Sequence, residues 1–180
     1  APTPVSAYLH SATMVKAGIY LLLRMTPILG GTPVWTTAIT VAGLMTMLVG
    51  AIRAVQESDL KRILAYSTIS ALGVITLLIG VGSAGAIVAA VVYLLAHACY
   101  KGTLFLVAGA VDHETGTRDV RRLGALRRSM PLTALAGGLA ALSMLGVAPF
   151  LGFLAKEHLY ESVAGAGPWS LWLLGAAVVA

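Results

Sequence analysis

Hydrophobic residues run along this chain in long blocks rather than in alternation, and short spacers bearing polar residues, glycine or proline separate the blocks. A helix needs about 20 apolar residues to cross a bilayer core of ~30 Å. The pattern predicts membrane-crossing helices near residues 5–23, 34–55, 63–81, 86–111 and 131–147, a short helix over 150–164, and a further span from 168. The expected fold is all-α, a polytopic transmembrane helix bundle forming a single transmembrane domain.

The spacers carry their own signals. "PTP" at the start places a break just upstream of the first span, because proline lacks the amide hydrogen and clashes with the turn before it. Thr32 is a candidate N-cap, with Pro33 suited to the first helical position. Ser58 is the capping candidate for the third span, and residues 82–85 make a turn into the fourth. In "APFLGFLAKEHLYES", Pro149 and Gly152 interrupt the helical pattern, so a broken helix is expected there. The final block, "PWSLWLLGAAVVA", is 13 residues long and the first residue is Ala1. The chain is therefore expected to be an internal piece of a longer protein.

Composition strengthens the membrane reading: 58% of residues are hydrophobic and 11% charged, against about 25% charged in a soluble domain. A net charge of +5 could point to nucleic acid, but the bases gather in connections between spans, where they record membrane orientation instead. Loops 53–62 and 112–130 fall on one side by parity, and the opposite connections offer only Arg24 among the bases. The basic loops are then expected in the cytoplasm of a prokaryotic cell whose inner membrane holds the chain. Cys99 stands alone, which excludes a disulfide framework and a cysteine metal site. No signal peptide, phosphate-binding loop, dinucleotide fingerprint or nucleophile elbow is present, and no cofactor or resident metal is expected.

Ionisable residues inside the apolar blocks change the picture most. In "YLLAHACYKGTLFLVAG", Tyr93, His97 and Lys101 follow one another at i, i+4 and i+8, along one helix face. A lysine at bilayer depth costs about 3 kcal/mol, and such residues usually face a bundle interior or a water-filled cavity and mark ion pathways. The competing reading is a snorkelling lysine, which Lys101 is too deep to satisfy. "YLHSATMVKAG" repeats the theme with His10, Thr13 and Lys16; Lys16 is about 120° from His10 around a helix, so a third group would have to join them. Lys156, directly after the expected break, reads as a charge at a hinge, with Glu157 as a possible charge partner; Glu157, His158 and Glu161 also suit an interfacial anchor. Tyr66, Ser67, Thr68 and Ser70 read as helix–helix contacts rather than sites, and "HETGTRD" as a solvated loop.

Taken together, "PTPVSAYLHSATMVKAGIYLL", "DLKRILAYSTIS", "HACYKGTLFLVAG" and "PFLGFLAKE" resemble the proton-translocating antiporter-like subunits shared by respiratory complex I and the multisubunit Mrp cation/proton antiporters. "MVKAG", "STISALG" and "DHETGTRD" look most like the large MrpA-type subunits. The resemblance implies an inverted-repeat bundle with lysines and histidines along the membrane midplane. Matched by motif, it makes Lys101 the central lysine, His97 its histidine, His10 the histidine of the "PTPVSAxxH" segment and Lys156 the lysine of the second broken helix. Lys16 matches a lysine of the MrpA-type subunits. Tyr93 departs from the pattern, standing where complex I relatives often carry histidine. The implied partners are other membrane subunits, protons and monovalent cations, Na+ foremost, and the implied activity is antiport rather than enzymatic catalysis. The alternative is a pumping subunit of complex I or of a membrane-bound hydrogenase.

Overall fold

A computed structural model describes residues 3–11 and 13–165. The described residues are helical throughout apart from short connections: α1 (Thr3–Ser11), α2 (Met14–Leu29), α3 (Pro33–Gln56), α4 (Leu60–Val81), α5 (Ala84–Thr115), a 3-10 turn at Val120–Arg122, α6 (Leu126–Ser129), α7 (Pro131–Leu145) and α8 (Leu151–Ala164). Four stretches are long and apolar enough to cross a membrane: Ala7–Leu29, α3, α4 and α5. The expected span from 168 lies outside the described residues.

Three expectations need correction. The helix expected unbroken over residues 5–23 is instead the pair α1 and α2, with Thr13 at φ −122° and ψ −83° in front of α2. Its hydroxyl donates to the Tyr8 carbonyl (3.3 Å). The cap of α4 is Asp59 rather than Ser58: its carboxylate accepts from the amides of Lys61 (2.9 Å) and Arg62 (3.1 Å), which satisfies two of the amides a helix start leaves unpaired. Finally, α7 has 15 residues, about 22 Å of helix, too short to cross alone. Thr32 does occupy the N-cap of α3 with Pro33 next, but its hydroxyl turns back to the Leu29 carbonyl (2.8 Å).

Helices α3 and α4 form the tightest pair. On α3, Gly43 and Gly50 lie against the backbones of Leu77 and Ser70; on α4, Gly73 and Gly80 lie against the backbones of Met47 and Thr40. The pairs 40/80, 43/77, 47/73 and 50/70 step in opposite directions by equal amounts, so this is one antiparallel register with two glycines, seven residues apart, on each helix. A Cβ at any of the four would come within 3 Å of the facing backbone. In lipid, where apolar surface gains nothing by leaving one hydrocarbon for another, such close approach supplies dispersion contact that larger residues would prevent.

The core then grows around α4, whose buried Val74, Ile75, Leu77, Leu78 and Ile79 meet Met47 from α3, Ile19 from α2, Ala86, Ala89 and Ala90 from α5, and Leu159 and Val163 from α8. α5 packs on α4, α1, α7 and α8 together, which makes it the central helix of the site. The expected break at Pro149–Gly152 is present between α7 and α8. Gly146 closes α7 at φ +80°, and Gly152 sits so close to the Ser143 carbonyl that no side chain fits.

Gly73→Val should lower the folded fraction strongly, since overpacking a filled contact costs about 1–3 kcal/mol or more. Gly18→Ala, at a position with open space, should not. Thermal unfolding of the two variants in the assembled complex in detergent checks this.

Candidate functional site

The α5 stripe winds as it climbs. Each step of four residues advances a helix by about 40° beyond a full turn, so Tyr93 and Lys101 are about 80° apart, with His97 between them. Lys101 therefore faces α4, and its ammonium donates to the Ser67 hydroxyl and to the Leu64 carbonyl (3.4 Å). Lys101 and His97 are both 0% exposed. Neither ring nitrogen of His97 has a hydrogen-bond partner, an uncommon condition for a buried polar group and one that internal water relieves. Its ring meets Tyr100 edge-on, with centroids 5.4 Å apart and planes at 75°, and it lies in the field of both Lys101 and Lys16.

The flanking lysines come from the two broken helices. Ser11, at the end of α1, lies against Gly102 of α5, so the first break abuts the residue next to Lys101. From the far side of that break, Lys16 is buried to 8% exposure and donates to the Leu94 carbonyl of α5 (3.2 Å). Its partner is thus backbone, one turn from His97. At the second break, the stem of Lys156 crosses over Gly146. Lys156 lines a narrow gap with Tyr93, Tyr100, Ser143 and Met144, so the Tyr93 end of the stripe faces the second broken helix.

The structure brings Lys16, Tyr93, His97, Lys101 and Lys156 together along α5. Glu157 is exposed and makes no ion pair with Lys156 among the described residues. The backbone of His10 lies in α1, and its side chain is outside the described part. Two participants carry no clear mark in the sequence. Tyr100 carries the stripe toward Lys156, a role visible only once the slant of the helix is counted. Ser67, which reads in the sequence as a helix–helix contact, is the side-chain partner of Lys101.

The family whose profile matches this chain is described as the NADH:quinone oxidoreductase/Mrp antiporter transmembrane family, and the match covers residues 1–180. The chain belongs to that family. It is similar to a probable K(+)/H(+) antiporter A/B subunit of Rhizobium meliloti, with 54% identity over 89% of this chain and 16% of the relative. It is 50% identical to the Na(+)/H(+) antiporter A-type subunit of Alkalihalophilus pseudofirmus, over 91% of this chain and 22% of that one. A solved Mrp complex from Dietzia sp. DQ12-45-1b contains a chain of the same fold, with a TM-score of 0.93 and 50% identity over 99% of this chain and 20% of its own. The chain thus spans only about a fifth of the length of these relatives.

This family member also joins its two basic connections at one end of the bundle, as parity required. The Leu60 amide donates to the Arg118 carbonyl (2.9 Å) and the Val120 amide to the Ser58 carbonyl (3.0 Å). Lys61 pairs with Asp112 at 2.7 Å, and the Arg118 guanidinium reaches Asp59 (3.6 Å) and Asp112 (3.7 Å). "HETGTRD", expected to be a solvated loop, is largely exposed; it also forms one half of this clasp and walls an open polar hollow of about 590 Å³ with Glu57, Asp59 and Asp112. The Lys61–Asp112 pair is partly exposed, so it contributes at most about 1 kcal/mol. In a double-mutant cycle, Lys61→Ala and Asp112→Ala should each lower the melting temperature of the assembled complex slightly, and the double variant by less than the sum, at low salt only.

Proposed function

We propose that the chain is part of the proton-translocating core of a multisubunit cation/proton antiporter, exchanging H+ for a monovalent cation, with Na+ as the first candidate, and working as a secondary transporter rather than an enzyme. The observation that carries this reading is the unexposed pair His97 and Lys101, set between lysines delivered by two broken helices. Irregular backbone at membrane depth persists only where protein or water satisfies it, and broken helices recur at transport sites. The relatives named as antiporter subunits favour this reading over a redox-driven pump.

In this scheme Lys101 is the central proton carrier and His97 passes protons between its two ring nitrogens. Lys16 and Lys156 are the neighbouring carriers, Tyr93 a hydrogen-bond relay or an orienting group, and Glu157 a charge partner in another conformation. His10 takes its place by motif. Like charges ~7 Å apart at an effective dielectric of ~20 repel by about 2 kcal/mol. Protonation at one carrier therefore disfavours it at the next by more than tenfold, which lets arrival at one end force release at the other. The basic clasp faces the cytoplasm in this reading, because short loops rich in arginine and lysine are retained there. The remaining partners are further membrane subunits of the same complex.

Lys101→Ala in the full-length protein, assembled in its complex, should reduce Na+-driven pH change in everted vesicles by at least about tenfold. Unchanged exchange with normal assembly would remove the assignment.

A further inference from the structure

Lys101 holds its proton on the α4 side of the bundle, and the partners it finds there have an order. α4 and α5 run antiparallel, with Lys61 and Asp112 in contact at the clasp. Counted from that level at about 1.5 Å per residue, the backbone of Lys101 is about 16 Å deep and Ser67 about 9 Å deep. The lysine side chain thus climbs toward the clasp end, away from the gap that Tyr93, Tyr100 and Lys156 line at the other side of α5. The Ser67 hydroxyl donates to the Ile63 carbonyl (2.7 Å), which leaves its oxygen lone pairs directed at the ammonium. A hydroxyl both donates and accepts, so after Lys101 loses its proton, Ser67 can rotate and donate to the neutral amine.

We infer that Ser67 is a positioning residue for proton transfer: it docks Lys101 on the clasp side of the bundle in a geometry that suits both protonation states. This rests on the relay reading above. Of the ionisable groups on the elements packed here, His97 shares the field of Lys101 on α5, Lys16 of α2 is held at the Leu94 carbonyl, Lys156 of α8 lies at the Tyr93–Tyr100 gap on the other side of α5, α7 has none, and α4 carries Tyr66 and, at the clasp, Lys61; the side chain of His10 on α1 is outside the described part. Ser67 is the only side chain among the described residues that hydrogen-bonds Lys101.

The experiment is exchange as a function of pH in everted vesicles carrying the complete complex with Ser67→Ala, Ser67→Cys or Ser67→Thr. Loss of the acceptor leaves the ammonium form less favoured, so loading Lys101 needs a higher proton concentration. A hydrogen bond to a charged group has the strength to move the profile of Ser67→Ala about one pH unit to the acid side. Ser67→Thr, which keeps the hydroxyl, should follow the unmodified profile, and Ser67→Cys, a weaker acceptor, should fall between. A merely structural role would lower the amount of complex without moving the profile. An unmoved profile in Ser67→Ala and Ser67→Cys, with Lys101→Ala inactive, overturns the role of Ser67 and leaves the relay standing. Full exchange in Lys101→Ala overturns both.

Discussion

A lysine side chain with no exposed surface is the constraint around which the bundle is arranged. Removing an ammonium from water costs several kcal/mol even after relaxation, and no carboxylate among the described residues pairs with Lys101 to offset it. What offsets it is the backbone and hydroxyl of α4. The Leu64 carbonyl, which also accepts from the Thr68 hydroxyl (2.8 Å), receives Lys101 at 3.4 Å, and the Ser67 hydroxyl oxygen accepts from the same ammonium. These carbonyl and hydroxyl dipoles stand beside a cation that has no counter-ion among the described residues. The charge is tolerated without being neutralised, which leaves it free to change.

That arrangement depends on α4 staying where it is, and the α3 contact keeps it there. The Ser67–Leu64 segment lies just before the Ser70/Gly50 and Gly73/Met47 contacts, where the two backbones touch. Ser70 serves there as a small residue; its buried hydroxyl oxygen has no partner. The other side of α5 is built differently. Its neighbours are the interrupted helices α1, α7 and α8, which pack on α5 as extensively as α4 does, and Lys16 and Lys156 reach it from the two breaks.

The features legible in the sequence are those that leave a local signature. Block length marks the helices, Pro149 and Gly152 mark the second break, loop parity puts the two basic connections at one end, and four-residue spacing puts His97 and Lys101 on one face. The first break leaves no such mark: "LHSATMV" contains neither glycine nor proline, and α1 stops where its last turn meets Gly102 of another helix. Ser67 stays hidden because a serine in a helix satisfies itself on the preceding turn, and nothing local says that its lone pairs are also in use. The clasp depends on Asp112 meeting Lys61 across 51 positions of sequence, a distance over which periodicity carries no information.

The glycines of α3 and α4 also limit how the molecule can move. Because they recur every seven residues, the next register that would again set a glycine of each helix against the other is a slide of about 10 Å along the axis. The hairpin is therefore seated in a single close register along its length. Under the proposed function, the Leu64 carbonyl of α4 is then the fixed side of the Lys101 site, set by a helix pair rather than by the interrupted helices opposite.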